Sequence, residues 1–265
     1  MLEKLTHLRL SNQSNIYDHF NSFAKELING SQLVVNEDLF RIIEVEFYLY
    51  NDSVKDVFTH CSEYQAQLGK WYFHRIGNSF KNGSFKGLDI TFGGEGSYGG
   101  ILIRSLQRND GSVINGPSLV VDEILKSTNS SIKDLDDSLS DFCVNDIKSK
   151  LFIKAISNTL EDKLYHSPRV GLSLKKVSSS DYVSKNFRFL VKPKLVKKGR
   201  VHLIIALHKQ DYTVGEINKL TASPVKTIEK YINFYTEGAS MTLDSFDGIK
   251  LGSKEICHLH GFIKD

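Results

Sequence analysis

Cysteine, proline and long apolar runs are what this chain of 265 residues has least of. Its three cysteines are an odd number with no paired spacing. That excludes a disulfide framework and points to a reducing compartment, so a cytoplasmic location is expected. Only four prolines are present, beside 19 glycines, which excludes collagen-like and proline-rich disordered classes. No apolar stretch approaches the ~18 residues of a membrane span. The first four residues, MLEK, open no apolar core of the signal-peptide kind. Neither sign of charge dominates, since 34 Lys and Arg face 31 Asp and Glu for a net +3.

What the chain does have is an uneven distribution of that charge. Residues 185–230 hold eleven Lys or Arg against three acids, Asp211, Glu216 and Glu229. Residues 134–146 hold five Asp and no base. A basic stretch is ordinarily a solvated face, but a basic half in a balanced chain suits a polyanion partner. The length fits a main domain of about 200 residues with a small appendage.

Hydrophobic periodicity places a helix over residues 16–28, ended by Asn29-Gly30, and a strand over residues 40–50, FRIIEVEFYLY. Residues 51–88 read as loops and short pieces. Residues 88–92 and 100–106 read as strands joined by a glycine-rich turn. Pro117 opens a helix, because its fixed φ suits a first turn. Residues 127–165 read as largely helical, and residues 169–174 and 187–191 as strands. Residues 193–199, PKLVKKG, read as a linker.

Several short segments carry chemistry. In residues 41–48, RIIEVEFY, Glu44 and Glu46 share one strand face, because side chains alternate with a period of two. An apolar strand gains nothing structurally from two acids there, although an exposed edge would also account for them. Further along stand Asp56 to His60 (DVFTH), Leu88 to Gly93 (LDITFG), Ile101 to Leu106 (ILIRSL), Gly116-Pro117-Ser118, Arg169-Val170-Gly171, and Phe187 to Val191 (FRFLV). Alone, His60 reads as a structural histidine and Arg104 as an ion-pair partner. The aromatic run Lys70 to Arg75 (KWYFHR) reads as core packing ahead of a stacking loop. The cluster Cys257-His258-Leu259-His260 lacks a partner pair, so no metal or other cofactor is expected.

Taken in order, these blocks resemble the alkyladenine (3-methyladenine) DNA glycosylase family over about residues 38–198. The resemblance implies a fold: an α+β domain with a curved, mostly antiparallel sheet core flanked by helices. It implies an activity too, that of a monofunctional DNA glycosylase, a hydrolase that flips a damaged or modified base out of the duplex and leaves an abasic site. Base excision repair and defence against modified phage DNA are both open as its setting. The family's water-activating carboxylate falls on Glu46, its base-stacking aromatic on Tyr48, its pocket histidine on His60, its active-site arginine on Arg104 and its wedge residue on Phe92. Asp89 stands where the family has a second stacking tyrosine, which trades an aromatic wall for a hydrogen-bond acceptor and leaves the substrate base open.

The chemistry needs such groups. A stacked base is unreachable until flipped, at a cost of a few kcal/mol. Rupture of the glycosidic bond builds positive charge on the sugar, which a carboxylate stabilises while it accepts a proton from water. No lysine in these blocks suggests a Schiff-base lyase.

After residue 198 the pattern changes. Thr213 and Glu216 form a capping box, Ser223-Pro224 opens another helix, and residues 216–232 resemble a helix-turn-helix. An ordinary helical hairpin would look the same. Lys219, Lys226 and Lys230 are the expected DNA contacts, the latter two one helical turn apart. The expected organisation is a catalytic domain over 1–198 and a helical module over 199–265, monomeric, acting on double-stranded DNA and not on a membrane. The rival expectation is a catalytically silent DNA-binding or regulatory protein on the same fold.

Overall fold

A computed structural model describes residues 1–174, 180–246, 249 and 251–263. The chain forms two units: residues 1–164 with 189–191, and residues 165–188 with 192–265. The division therefore falls at Leu164/Tyr165, well before the boundary expected at 198.

The first unit begins with α1 (Leu2–Arg9) and α2 (Ile16–Gly30), then β1 (Ser31–Val35) and β2 (Asp38–Tyr50). There follow β3 (Leu68–Phe73), the hairpin of β4 (Arg75–Ile76) and β5 (Ser79–Phe80), β6 (Leu88–Phe92), β7 (Tyr98–Arg108) and β8 (Val113–Asn115). The helices α3 (Pro117–Thr128) and α4 (Ile132–Leu139) precede β9 (Leu151–Ala155). In the second unit lie β10 (Tyr165–Ser167), α5 (Ser180–Ser184), α6 (Arg200–Lys209), α7 (Val214–Thr221), α8 (Val225–Gly238) and α9 (Ser253–Phe262). The strand β11 (Arg188–Leu190) returns its last two residues to the first unit.

The class is α+β with a mostly antiparallel sheet. Its central order is β11-β2-β7-β6-β3, with β1 and then β9 beside β2, and β8 beside β7. The long strand β2 forms because β-branched and aromatic residues alternate along it. Val45, Phe47 and Leu49 are fully buried on one face. The helix α2 covers that face, since Ile16, Phe20, Phe23, Ala24, Leu27 and Ile28 recur at helical spacing. Phe20 stacks on Phe47 at 4.5 Å between ring centroids, and Phe23, Phe92 and Phe189 close around the same ring at 6.5, 6.5 and 5.5 Å. Burying each such ring contributes about 1.5–3 kcal/mol.

Several local expectations are corrected. The strand β3 lies where loops and short pieces were expected and β9 within the stretch 127–165 expected to be largely helical, while α1 and β1 occupy segments to which the sequence reading assigned no element. β1 follows α2 with no intervening turn residue, and β3 carries Gly69 at φ 67°, so neither announces itself by clean alternation. Residues 169–174 are not a strand. Arg169 is buried there, its guanidinium donating to the Tyr182 carbonyl and lying over the Phe187 ring.

The stretch 193–199 is not a free linker either. Buried Arg188 donates to the carbonyls of Lys198 (2.9 Å) and Gly199 (3.1 Å) and to the Ser167 hydroxyl (3.2 Å). An arginine needs that many acceptors once it leaves water, and they anchor the segment to its own unit.

In the second unit α6 is buried all round, from Val201 to Leu207, which fits a helix enclosed by α7, α8 and α9. α8 and α9 run antiparallel and touch backbone to backbone. A Cβ on Gly238 would lie 2.1 Å from the His258 carbonyl oxygen, and one on Gly261 1.9 Å from that of Tyr235. Among the described residues no helix is long and apolar enough to cross a membrane.

Candidate functional site

The register of the sheet sets the site. Glu46 of β2 pairs with Leu102 of β7, Leu102 with Asp89 of β6, and Asp89 with Tyr72 of β3. Directly opposed residues of antiparallel strands point to the same face, so these four form one row. It lies on the face away from Phe47, and all four side chains are buried.

At the β2 end, Glu44, Glu46, Tyr48 and Arg104 form one network. The pairing of β2 with β7 is irregular around Glu44, and Arg104 enters between the two acids. Its Nε donates to Glu44 at 3.0 Å and its Nη1 to Glu46 at 3.1 Å. The Tyr48 hydroxyl donates to Glu46 at 2.9 Å, and the Ser105 hydroxyl donates to Glu44. Burial opposes the charge on Arg104, but Glu46 and then Glu44 outweigh it and hold the guanidinium above its ordinary range. Two carboxylates on one guanidinium leave this end of the row negative when both are ionised.

At the β3 end, Asp89 is the hub. His74 Nε2 lies 2.8 Å from its Oδ1, and the Gln65 amide donates to Oδ2 at 3.1 Å. His60 packs edge-on against His74 at 4.5 Å between centroids. The Lys81 ammonium lies 3.1 Å from His60 Nε2, so that nitrogen accepts; the ring proton is then on Nδ1, facing the Tyr72 hydroxyl at 3.4 Å. Burial of the ring, and then the neighbouring His74, push His60 down to about 4, although the residue as a whole is exposed at the surface. Burial lowers Lys81 as well and raises the Tyr72 phenol, which Asp89 raises further.

Gly99 and Gly100 make both faces possible. A Cβ on Gly100 would lie 2.5 Å from Asp89 Oδ2 and 2.8 Å from Gln65 Nε2, while one on Gly99 would lie 2.6 Å from the Phe92 ring.

Of the residues singled out in the sequence, Glu46, Tyr48 and Arg104 come into direct contact, and His60 and Asp89 meet through His74. Phe92 does not join them. It alternates with Asp89 and Thr91, faces the aromatic core and is fully buried, so it cannot fill a gap in a base stack. Sequence reading missed His74, Tyr72, Lys81 and Gln65. The KWYFHR run was the available signal: as a strand it puts Tyr72 and His74 on one face. Cys257, His258 and His260 all lie on α9, and among the described residues no group of three or more His, Cys, Asp or Glu is placed to hold a metal ion.

In the second unit, α7 begins at the expected capping box of Thr213 and Glu216. The turn to α8 passes through Ala222 at φ 55° and is tied by the Asn218 amide donating to the Ser223 carbonyl. Ile217 and Ile228 are fully buried. α8 starts one residue later than expected, with Pro224 rather than Ser223 as its cap. Lys219, Lys226 and Lys230 are exposed, and the Lys230 ammonium lies over the Phe234 ring.

No family model matches the sequence. Over 203 residues the chain is 34% identical to Uncharacterized protein L759 of Acanthamoeba polyphaga mimivirus, a match that covers 70% of this chain and 92% of the viral protein.

Proposed function

The chain belongs to the same family as that mimivirus protein, and we propose that it is a monofunctional DNA glycosylase of the alkyladenine type. One observation carries the reading: the carboxylate Glu46, bonded to Arg104 and Tyr48, shares a sheet face and a register row with Asp89, around which His74 and His60 cluster. A reaction that breaks a sugar–base bond needs a carboxylate at the sugar and hydrogen-bonding and stacking groups at the base. Glu46 stabilises the developing sugar cation and accepts the proton of the attacking water. Arg104 orients Glu46 through its Nη1 hydrogen bond. Tyr48 stacks on the flipped base, and His60 contacts the base or its phosphate.

The wedge passes from Phe92 to Ile76. Ile76 lies at the β4–β5 turn, between the site residues His74 and Lys81, and is 74% exposed. α7 and α8 act as a helix-turn-helix on duplex DNA, with Lys219, Lys226 and Lys230 at the phosphates.

The test is release of base from a panel of duplexes carrying alkylated, deaminated or bulky modified bases, scored as abasic sites. Glu46→Gln should lower release by ~10²–10⁴-fold while duplex binding persists. Near-full activity of the variant sinks the assignment. A second reading, a catalytically silent DNA-binding protein, is favoured by the full burial of Glu46 in an ion pair. Binding without any abasic product across the panel would select it.

A further inference from the structure

Lys81 lies outside the blocks that carry the resemblance, and its surroundings are those of an amine nucleophile. It follows β5, and its backbone N–H donates to the His74 carbonyl at 2.8 Å. Phe80 beside it is turned the other way: its ring meets Phe73 edge-on at 6.4 Å, and the Arg75 guanidinium covers it at 4.0 Å. Successive side chains of an extended segment take opposite faces, so Lys81 is turned to the face of Tyr72, His74 and His60. There its ammonium meets His60 Nε2 at 3.1 Å, at the exposed side of the cluster.

The partner is unusual for a lysine. Lys86, five residues on, ends on the carboxylate of Asp122. Among the described residues Lys81 has no acid within ion-pair distance, although it is half-buried. A neutral imidazole accepts a hydrogen bond from an ammonium but does not offset its lost hydration as a carboxylate would. Burial therefore lowers the proton affinity of Lys81, and Asp89 opposes that only in part. Once its proton has gone to solvent, the amine still donates an N–H to His60 Nε2, which turns its lone pair away from the ring. Desolvation of this kind is how lysine amines are made nucleophilic toward carbonyl carbon.

We propose that Lys81 is a nucleophile toward an aldehyde, the ring-opened sugar of an abasic site, and that the protein cleaves abasic DNA by β-elimination. The aldehyde follows from the amine; the DNA follows from the glycosylase reading, on which this proposal rests and beyond which it goes. Base release stays with water and Glu46, and Lys81 acts on the sugar that remains. The amine nitrogen bonds to C1′ and water departs, leaving a protonated imine. The C2′ proton is lost to water, and its electron pair, drawn toward the imine, expels the 3′ phosphate oxygen. Water then hydrolyses the imine, returning the amine and a strand that ends in an unsaturated aldehyde. Nothing is oxidised or reduced, and water is the only co-reactant.

Lys81 is then a catalytic residue and His60 a positioning residue for it. The experiment gives the full chain a duplex with a preformed abasic site, so that no base release is required. With sodium cyanoborohydride, which reduces the imine to a stable link, the wild type should form a covalent adduct whose peptide map places the DNA on Lys81. Without reductant it should nick the strand on the 3′ side of the site. Lys81→Gln should lose both adduct and nick, while still binding a duplex with a tetrahydrofuran analogue, which has no aldehyde. The peptide map needs no variant and decides the matter if Lys81→Gln does not fold. His60→Glu sets a carboxylate beside the ammonium and should move the midpoint of adduct formation up by about 1–3 pH units; a merely structural His60 would leave the midpoint in place. No adduct with the wild type, an adduct mapped to another lysine, or undiminished trapping in Lys81→Gln overturns the proposal. Base release from modified duplexes with no adduct on the abasic one sinks the lyase alone, whereas an adduct on Lys81 with no base release sinks the glycosylase reading and keeps the lyase.

Discussion

Gly100 lies directly beneath the Asp89 carboxylate: a methyl group on its α-carbon would come within 2.5 Å of Oδ2. The glycine is a requirement of the site, since its backbone needs no unusual φ. Gly100→Ala must displace Asp89 and Gln65 together. We expect a loss of about 1–3 kcal/mol in stability, the usual cost of overpacking a filled interior, measured by urea denaturation. Unchanged stability would mean that the Asp89 end of the row can shift freely.

Arg104 holds two buried carboxylates together. Removing one partner of such a network strands charge in a medium that solvates it poorly. Arg104→Ala should therefore cost about 3–5 kcal/mol. Combined with Glu46→Gln, it should cost less than the sum of the two single changes, because the second removes part of the stranded charge. A double-mutant cycle with strict additivity contradicts the coupling.

His60 gives the pH dependence of stability a sign. Its folded value is lowered to about 4 from an ordinary 6.5. Between those values the unfolded chain binds a proton that the folded chain does not, so stability rises with pH across the window. As pH falls, the contribution is lost from about 6.5 down to about 4. The exposure of the residue to solvent damps the effect. His60→Gln should flatten the slope of denaturation free energy between pH 4 and 6.5; an equal slope in the variant rejects the assignment.

Phe92 and Ile76 should part company under mutation. Phe92→Ala empties an aromatic core site and should cost about 3–5 kcal/mol of stability. Ile76→Ala touches an exposed turn and should stay within about 0.5 kcal/mol. It should, however, weaken binding to a duplex with an abasic analogue more than binding to undamaged duplex. The reverse pattern would restore the wedge to Phe92.

The basic helical module is best tested by charge. Truncation after Gly199 would leave Arg188 tied to a frayed end, so point changes report more cleanly. Lys226→Glu with Lys230→Glu should weaken duplex binding and lower the slope of log affinity against log salt by about 0.9 per lost phosphate contact. Identical slopes in variant and wild type would remove α8 from the DNA interface.

Local pattern alone determined much of this protein. Residues 40–50 alternate well enough that β2 and the shared face of its two acids were legible, whereas the burial of that face, against an exposed edge, came only with the fold. Pro117 and the Thr213–Glu216 box marked their helix starts because first-turn donors need such neighbours whatever the tertiary context. Only the folded chain decided the rest. β1, β3 and β9 are strands because partners in the sheet accept their hydrogen bonds, a nonlocal gain that no short window of sequence reveals. His74 and Lys81 entered the site because the register set Tyr72 opposite Asp89, and the β4–β5 turn then brought Lys81 back to His60. Phe92 left it for the same reason. One residue's shift along a strand exchanges its two faces, and which face meets α2 and which holds Glu46 and Asp89 is settled by packing across the sheet.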